Sequence, residues 1–151
     1  MTSSAPRPTT NAHDQQQVAR LQARLRTSTR RRLGRGNVPD AVTLAPGAHK
    51  YVLLQASSDD TGTQYFVTSR QNAAYHRNAA EPMIAQLEEA GFYDIEVTGG
   101  GRIRLNEEEQ RISIFGFSYG FGPADHAISR RIVLEDPRYR HFDVQTSNDG
   151  Y

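Results

Sequence analysis

No cysteine occurs among the 151 residues, which excludes a disulfide framework, a thiolate nucleophile and any zinc site built on sulfur. No apolar run approaches the length of a membrane span. No spacing of His, Asp and Glu resembles a metal site, and no internal repeat is visible. Lysine is almost missing: Lys50 stands alone against seventeen arginines. So strong a preference for arginine suggests that the one remaining lysine is needed as a compact, flexible point charge. A lysine left by chance on a strand edge is the plain alternative.

The net charge of +1 hides an asymmetry. Residues 1–47 carry eight arginines against Asp14 and Asp40, whereas the remainder is acidic by five charges. The length suits one domain with an attached tail. We read residues 1–47 as a basic, largely disordered tail and 48–151 as the folded domain. Met1 to Asn11 is rich in Ser, Thr and Pro. From Ala12 to Leu33 a helix is possible, with Val18, Leu21 and Leu25 on one side, ended by Gly34 and Gly36. That stripe is thin, which favours a solvated tail. Two functional readings stand beside it: an electrostatic arm for acidic partners, nucleic acid or a membrane surface, and an arginine-rich organellar presequence. Asp14 and the Gln15–Gln17 run count against the presequence.

Within the domain, Tyr51–Ala56 and Gln64–Thr68 read as strands of a hairpin around a polar turn. A helix carrying Met83, Ile84 and Leu87 follows, with Asn78 and Glu81 as a capping box, Pro82 in its first turn and Gly91 closing it. His76 then lies just ahead of a helix N-terminus, where backbone donors and the dipole favour an anion. Tyr93, Ile95 and Val97 alternate as a third strand. Gly99-Gly100-Gly101 reads as a tight connection, with Arg102–Leu105 pairing back as a fourth. The segment from Ile112 is a fifth strand that breaks into glycine-rich punctuation at Gly116, Gly120 and Gly122. It enters a second helix with Gly122 near the cap and Pro123 at the first position. Phe142–Thr146 is the last strand, and Asn148–Tyr151 a terminal turn. The pattern predicts an α+β fold: a mixed six-stranded sheet with one helix packed on each face.

A strand feeding a glycine-rich turn and then a helix is where backbone N–H groups become available to an anion, and Ser118 and the Gly120 amide lie in that turn. An ordinary loop has the same glycine spacing. His126, inside the second helix beside Ala127 and Ile128, reads as a packed structural residue. His13 belongs to the tail, and His49 and His141 read as surface positions.

Three stretches resemble the protein histidine phosphatases of the Janus/Ocnus family. They are His49-Lys50-Tyr51-Val52-Leu53, Ala74-Tyr75-His76, and Gly99-Gly100-Gly101-Arg102-Ile103 followed by Gly116-Phe117-Ser118 and Phe121-Gly122-Pro123-Ala124-Asp125-His126-Ala127-Ile128-Ser129. The closing Asn148-Asp149-Gly150-Tyr151 is also similar. The resemblance spans 48–151 and leaves the tail outside.

That resemblance implies hydrolysis of the P–N bond of phosphohistidine in proteins, without a metal or other cofactor. By position His76 matches the catalytic histidine and Lys50 the active-site lysine. Arg102 matches the arginine after the triple glycine, and Ser118 and Gly120 match residues that hold the phosphoryl group. The amides of Tyr75, His76 and Arg77 are expected to complete the cradle. The residue types suit the chemistry, because a phosphoryl group in transfer spreads charge over three oxygens that donors and cations stabilise. His76 acts either as general base toward water or as transient phosphoryl acceptor. Arg102 can equally be a salt-bridge partner on the sheet. A phosphate-binding regulatory protein with little turnover is the alternative function. A cytoplasmic monomer acting on phosphohistidine-containing proteins is expected.

Overall fold

The computed structural model describes residues 8–27 and 38–147. Its elements, in order, are α1 (Pro8–Thr27), β1 (Val42–Thr43), β2 (Gly47–Ser58), β3 (Gly62–Ser69), α2 (His76–Glu89), β4 (Tyr93–Asn106), β5 (Arg111–Phe115), α3 (His126–Glu135) and β6 (Asp143–Thr146). The strands form one mixed sheet in the order β1-β3-β2-β4-β5-β6, parallel at its two outer pairs and antiparallel between. The expected α+β architecture with six strands is therefore present. Its membership differs from the expectation at three places.

First, Gly99-Gly100-Gly101 is not a turn. It is the middle of β4, a single strand of 14 residues paired to β2 along most of its length. The glycines are there because backbone and side chains crowd the strand from both sides. A Cβ on Gly99 would lie 2.5 Å from the Pro123 carbonyl oxygen, and one on Gly101 would lie 2.6 Å from that of Phe115. Second, the strand count is restored by β1, two residues that pair with β3 ahead of the expected start of the domain.

Third, three helices cover the sheet. Successive residues of β2 face opposite ways. Val52, Leu54 and Ala56 join one apolar cluster with Met83, Ile84 and Leu87 of α2. Tyr51 and Leu53 join the other with Ile132 and Val133 of α3. The expected pair of helices thus takes one face each, and α1 is added on the side of α2. Val18, Leu21 and Leu25 are buried there, so over residues 8–27 the chain is a docked helix rather than a solvated tail. Burying each such side chain contributes about 1.5–3 kcal/mol relative to leaving it in water. Arg24 adds a contact with Glu88 of α2 at 3.3 Å. The expected helix end at Gly34 and Gly36 and the terminal turn 148–151 lie outside the described residues.

One irregularity of β4 decides which way its second half faces. Leu53 pairs with Gly99 but Leu54 pairs with Val97, which leaves Thr98 as an extra residue whose hydroxyl donates to the Leu53 carbonyl at 3.2 Å. This bulge reverses the strand's phase. Ile95 and Val97 face α2, and so, beyond the bulge, do Gly100 and Arg102, while Ile103 and Leu105 point toward α3.

Candidate active site

The helix α2 begins earlier than its sequence suggests. Tyr75 is the N-cap and His76 the first helical residue, so the imidazole belongs to the first turn instead of preceding it. Asn78 reaches back to accept the Tyr75 amide at 3.0 Å, which is the return half of a capping box. That bond also engages the Tyr75 N–H, so this amide is committed to the cap and does not join the expected cradle. Those of His76 and Arg77 belong to the first-turn donors that a helix leaves outside its own ladder. Pro82 consequently lies in the helix interior, at the cost of one backbone hydrogen bond. The far end matches expectation: Gly91 has φ +90°, and the amides of Phe92 and Gly91 return to Leu87 and Glu88 in a Schellman arrangement.

His76 leans over the bare backbone of β4. Its Cδ2 and the Ser118 Cβ lie 2.9 and 3.0 Å from where a Gly100 Cβ would be, so the ring and the serine flank the same glycine. Both side chains are 1 % exposed. The ring's Nε2 donates to the Gly101 carbonyl at 2.9 Å. A carbonyl only accepts, so the neutral imidazole carries its proton on Nε2 and its lone pair on Nδ1. Burial first, then the charges of Lys50 and Arg102, push its pKa down to about 4, against the opposing pull of the Gly101 bond. The ring is therefore neutral at physiological pH.

Lys50 stands directly opposite Arg102 across the β2–β4 ladder. Both are on the side of the sheet that carries α2, since they keep phase with Val52 and Gly100. Burial lowers the lysine pKa, as does the neighbouring Arg102, while Asp14 opposes the shift. Like charges facing each other across a ladder are unfavourable unless an anion comes between them.

The Ser118–Gly122 turn is laced to β4 from above. Gly100 donates to the Gly122 carbonyl and Ala124 donates to that of Gly100, both at 3.0 Å. The Ser118 hydroxyl accepts from the Phe121 amide at 3.1 Å. These bonds hold residues 122–124 extended, so α3 starts later than Gly122 and Pro123 suggest. Asp125 is its N-cap, accepting from the amides of Ala127 and Ile128 at 3.0 and 3.2 Å.

His126 has the structural place expected of it. On the α3 side of β4 its Nε2 donates to the Gly116 carbonyl at 2.9 Å and its Nδ1 accepts from the Tyr51 hydroxyl at 2.7 Å. Ser129 Oγ completes this buried group, 3.0 Å from the same hydroxyl. His49 donates to the Pro46 carbonyl at 2.7 Å, and His141 is exposed. Among the described residues no group of three or more His, Cys, Asp or Glu side chains could hold a metal ion, and no helix is long and apolar enough to cross a membrane.

The structure thus assembles His76, Arg77, Lys50, Arg102, Ser118 and Gly120 near one end of the β2–β4 ladder. It adds one residue that sequence reasoning did not place there. Asp14 of α1 is buried, and its carboxylate lies against Gly120 beside Arg77 and Lys50. The signal was available: Asp14 falls four residues before Val18, seven before Leu21 and eleven before Leu25, a charge on the apolar stripe.

An imidazole, an ammonium and two guanidinium groups are thus gathered near a helix mouth and a glycine-rich turn. Among known proteins, the sequence profile of the Janus/Ocnus family (Ocnus) matches residues 35–143. The chain belongs to the Janus/Ocnus family. It is 33 % identical over 110 residues to the sex-regulated protein janus-A of Drosophila pseudoobscura pseudoobscura, covering 70 % of this chain and 72 % of that protein. It is 30 % identical over 120 residues to the human 14 kDa phosphohistidine phosphatase, covering 76 % of this chain and 94 % of the relative. The pig 14 kDa phosphohistidine phosphatase is similar at the same identity, with 93 % of its length covered.

Proposed function

We propose that the chain is a protein phosphohistidine phosphatase that hydrolyses the P–N bond of phosphohistidine in proteins without a metal. The observation that carries this reading is the place of His76: a neutral ring at the start of α2, its Nε2–H held by the Gly101 carbonyl, on the sheet face that carries Lys50, Arg102 and Ser118. In the reaction, water oxygen bonds to phosphorus as the P–N bond breaks. The water proton goes to Nδ1 of His76 and from there to the departing substrate imidazole, which keeps the electron pair of the broken bond. Lys50 and Arg102 balance the charge on the phosphoryl oxygens, with the amides of the α2 start and the Ser118–Gly122 turn as further donors. The same nitrogen can instead attack phosphorus and hold the phosphoryl group until water removes it.

The test is phosphate release from a phosphohistidine protein. His76→Ala is expected to lower turnover by ~10²–10⁴-fold, the usual contribution of a positioned general base. Near-normal release by that variant overturns the assignment. Phosphate binding by a wild-type chain that releases none supports the second reading, a regulatory phosphate-binding protein, which the burial of His76 and Ser118 favours.

A further inference from the structure

The helix α1 lies outside the region matched by the family profile, yet it reaches into the site. Three contacts bring it there. The Asp14 carboxylate lies against Gly120, its Oδ2 3.0 Å from where a Cβ would be, with Arg77, Lys50 and His13 as its charged or ionisable neighbours. The Val18 side chain packs against Gly120, where a Cβ would lie only 2.5 Å from Val18 Cγ2. Gln15 donates to the Tyr119 carbonyl at 3.3 Å. The amide and cations that face a phosphoryl oxygen in the proposed reaction thus face a carboxylate of the same chain.

The fit of that carboxylate is incomplete. Asp14 Oδ1 is buried without a hydrogen-bond partner, and so is Arg77 Nε. Each such group has given up its hydration without a replacement partner. Burial also raises the Asp14 pKa, against the pull of Arg77, the Gly120 amide and Lys50. A planar group with two oxygens satisfies fewer donors than a tetrahedral group with three, so a phosphoryl ligand gains contacts here that Asp14 leaves unmade.

We propose that α1 is a built-in competitor for the phosphoryl site, with Asp14 standing where a phosphoryl oxygen binds, so that substrate enters only as α1 lifts away. This rests on the proposal that the site binds phosphate. The competitor is tethered, so its effective concentration is fixed by the chain, and a ligand's apparent affinity falls by the fraction of molecules that are open. Val18, Leu21 and Leu25 hold α1 on the sheet, and the imperfect polar contact makes it displaceable.

The experiment uses the full chain and inorganic phosphate as probe. Calorimetry gives the phosphate affinity of wild type, Asp14→Ala and Val18→Glu, the last placing a charge in the apolar contact with Gly120. Hydrogen exchange follows the amides of residues 14–25 with and without phosphate. Both variants are expected to bind phosphate ~10-fold or more tightly than wild type, as a site closed in about nine molecules of ten requires. Saturating phosphate is expected to speed exchange across α1 in the wild type. Wild-type binding that neither variant improves, or α1 amides equally protected at saturation, overturns the competitor while leaving the phosphate site standing. Absence of phosphate binding in all three chains, with α1 of Val18→Glu exchanging freely, removes the phosphate site and the competitor together.

Discussion

Lys50 and Arg102 face each other across the β2–β4 ladder, two cations at one level of a half-buried sheet surface. Each raises the cost of the other, and that cost falls when an anion lies between them. The Asp14 carboxylate already offsets part of that cost at Lys50.

Binding should therefore respond to Lys50→Gln far more than stability does. Phosphate affinity is expected to drop ~10–100-fold, the scale of one charge-assisted hydrogen bond. The unfolding midpoint in urea should change little, because the repulsion with Arg102 and the attraction of Asp14 are lost together. Lys50→Arg should restore only part of the binding, because a planar fork does not replace a compact ammonium. A variant that loses stability and keeps its affinity would assign Lys50 to the scaffold.

Acid should weaken the fold through His76. Its folded pKa of about 4 lies below that of an exposed imidazole. The unfolded chain therefore takes up this proton first, and stability falls as pH drops from ~6.5 toward 4. The full effect is about 3 kcal/mol, reached below the folded value. Asp14, whose pKa is raised, contributes with the opposite sign, so the measurement is a difference. Urea midpoints of wild type and His76→Gln at pH 7 and pH 4.5 should show a shallower pH slope in the variant. Equal slopes would place the titration elsewhere.

Gly100→Ala should cost both fold and function. The added methyl meets the Tyr51 carbonyl oxygen at 2.9 Å, which is backbone and cannot turn aside, and it presses His76 and Ser118 apart. Overpacking of this kind costs about 1–3 kcal/mol. Phosphate release should fall even at temperatures where the variant is fully folded. A variant with unchanged release would show that the ring's seat on Gly100 is not needed.

Asp125→Ala separates the two ends of the structure. Loss of the α3 cap should lower stability by about 0.5–2 kcal/mol, with phosphate affinity retained below the unfolding transition. Weaker phosphate binding in a folded variant would extend the site to the start of α3.

The sequence shows the motif residues and the strand-rich frame, and it misleads where one residue type serves two purposes. Three consecutive glycines look like a turn because turns need conformational freedom. Here they serve close approach, which depends on partners distant along the chain, such as Tyr51, Phe115 and Pro123. The bulge at Thr98 hides for a related reason: Ile95, Val97, Ile103 and Leu105 share odd positions, yet they split between the two faces. Val18, Leu21 and Leu25 look too few to anchor a helix, and they are few. Leu21 and Leu25 suffice because the sheet and α2 already supply the rest of their cluster, and Val18 packs on Gly120. The two residues of β1 are shorter than any periodicity can register. The α2 start is obscured because Asn78 suits both an N-cap and the return partner of one, and only the backbone at Tyr75 decides between them.

Gly101 has a consequence for how the protein can change. Its carbonyl fixes the proton of His76, and its missing side chain makes room for His126 and Tyr51 on the opposite surface. The wall between the His76 ring and the buried tyrosine–histidine group is one peptide thick. A substitution at Ser129 that shifts the Tyr51 hydroxyl would therefore press on the same peptide that holds the His76 proton, so the two surfaces of the sheet are not free to vary independently there.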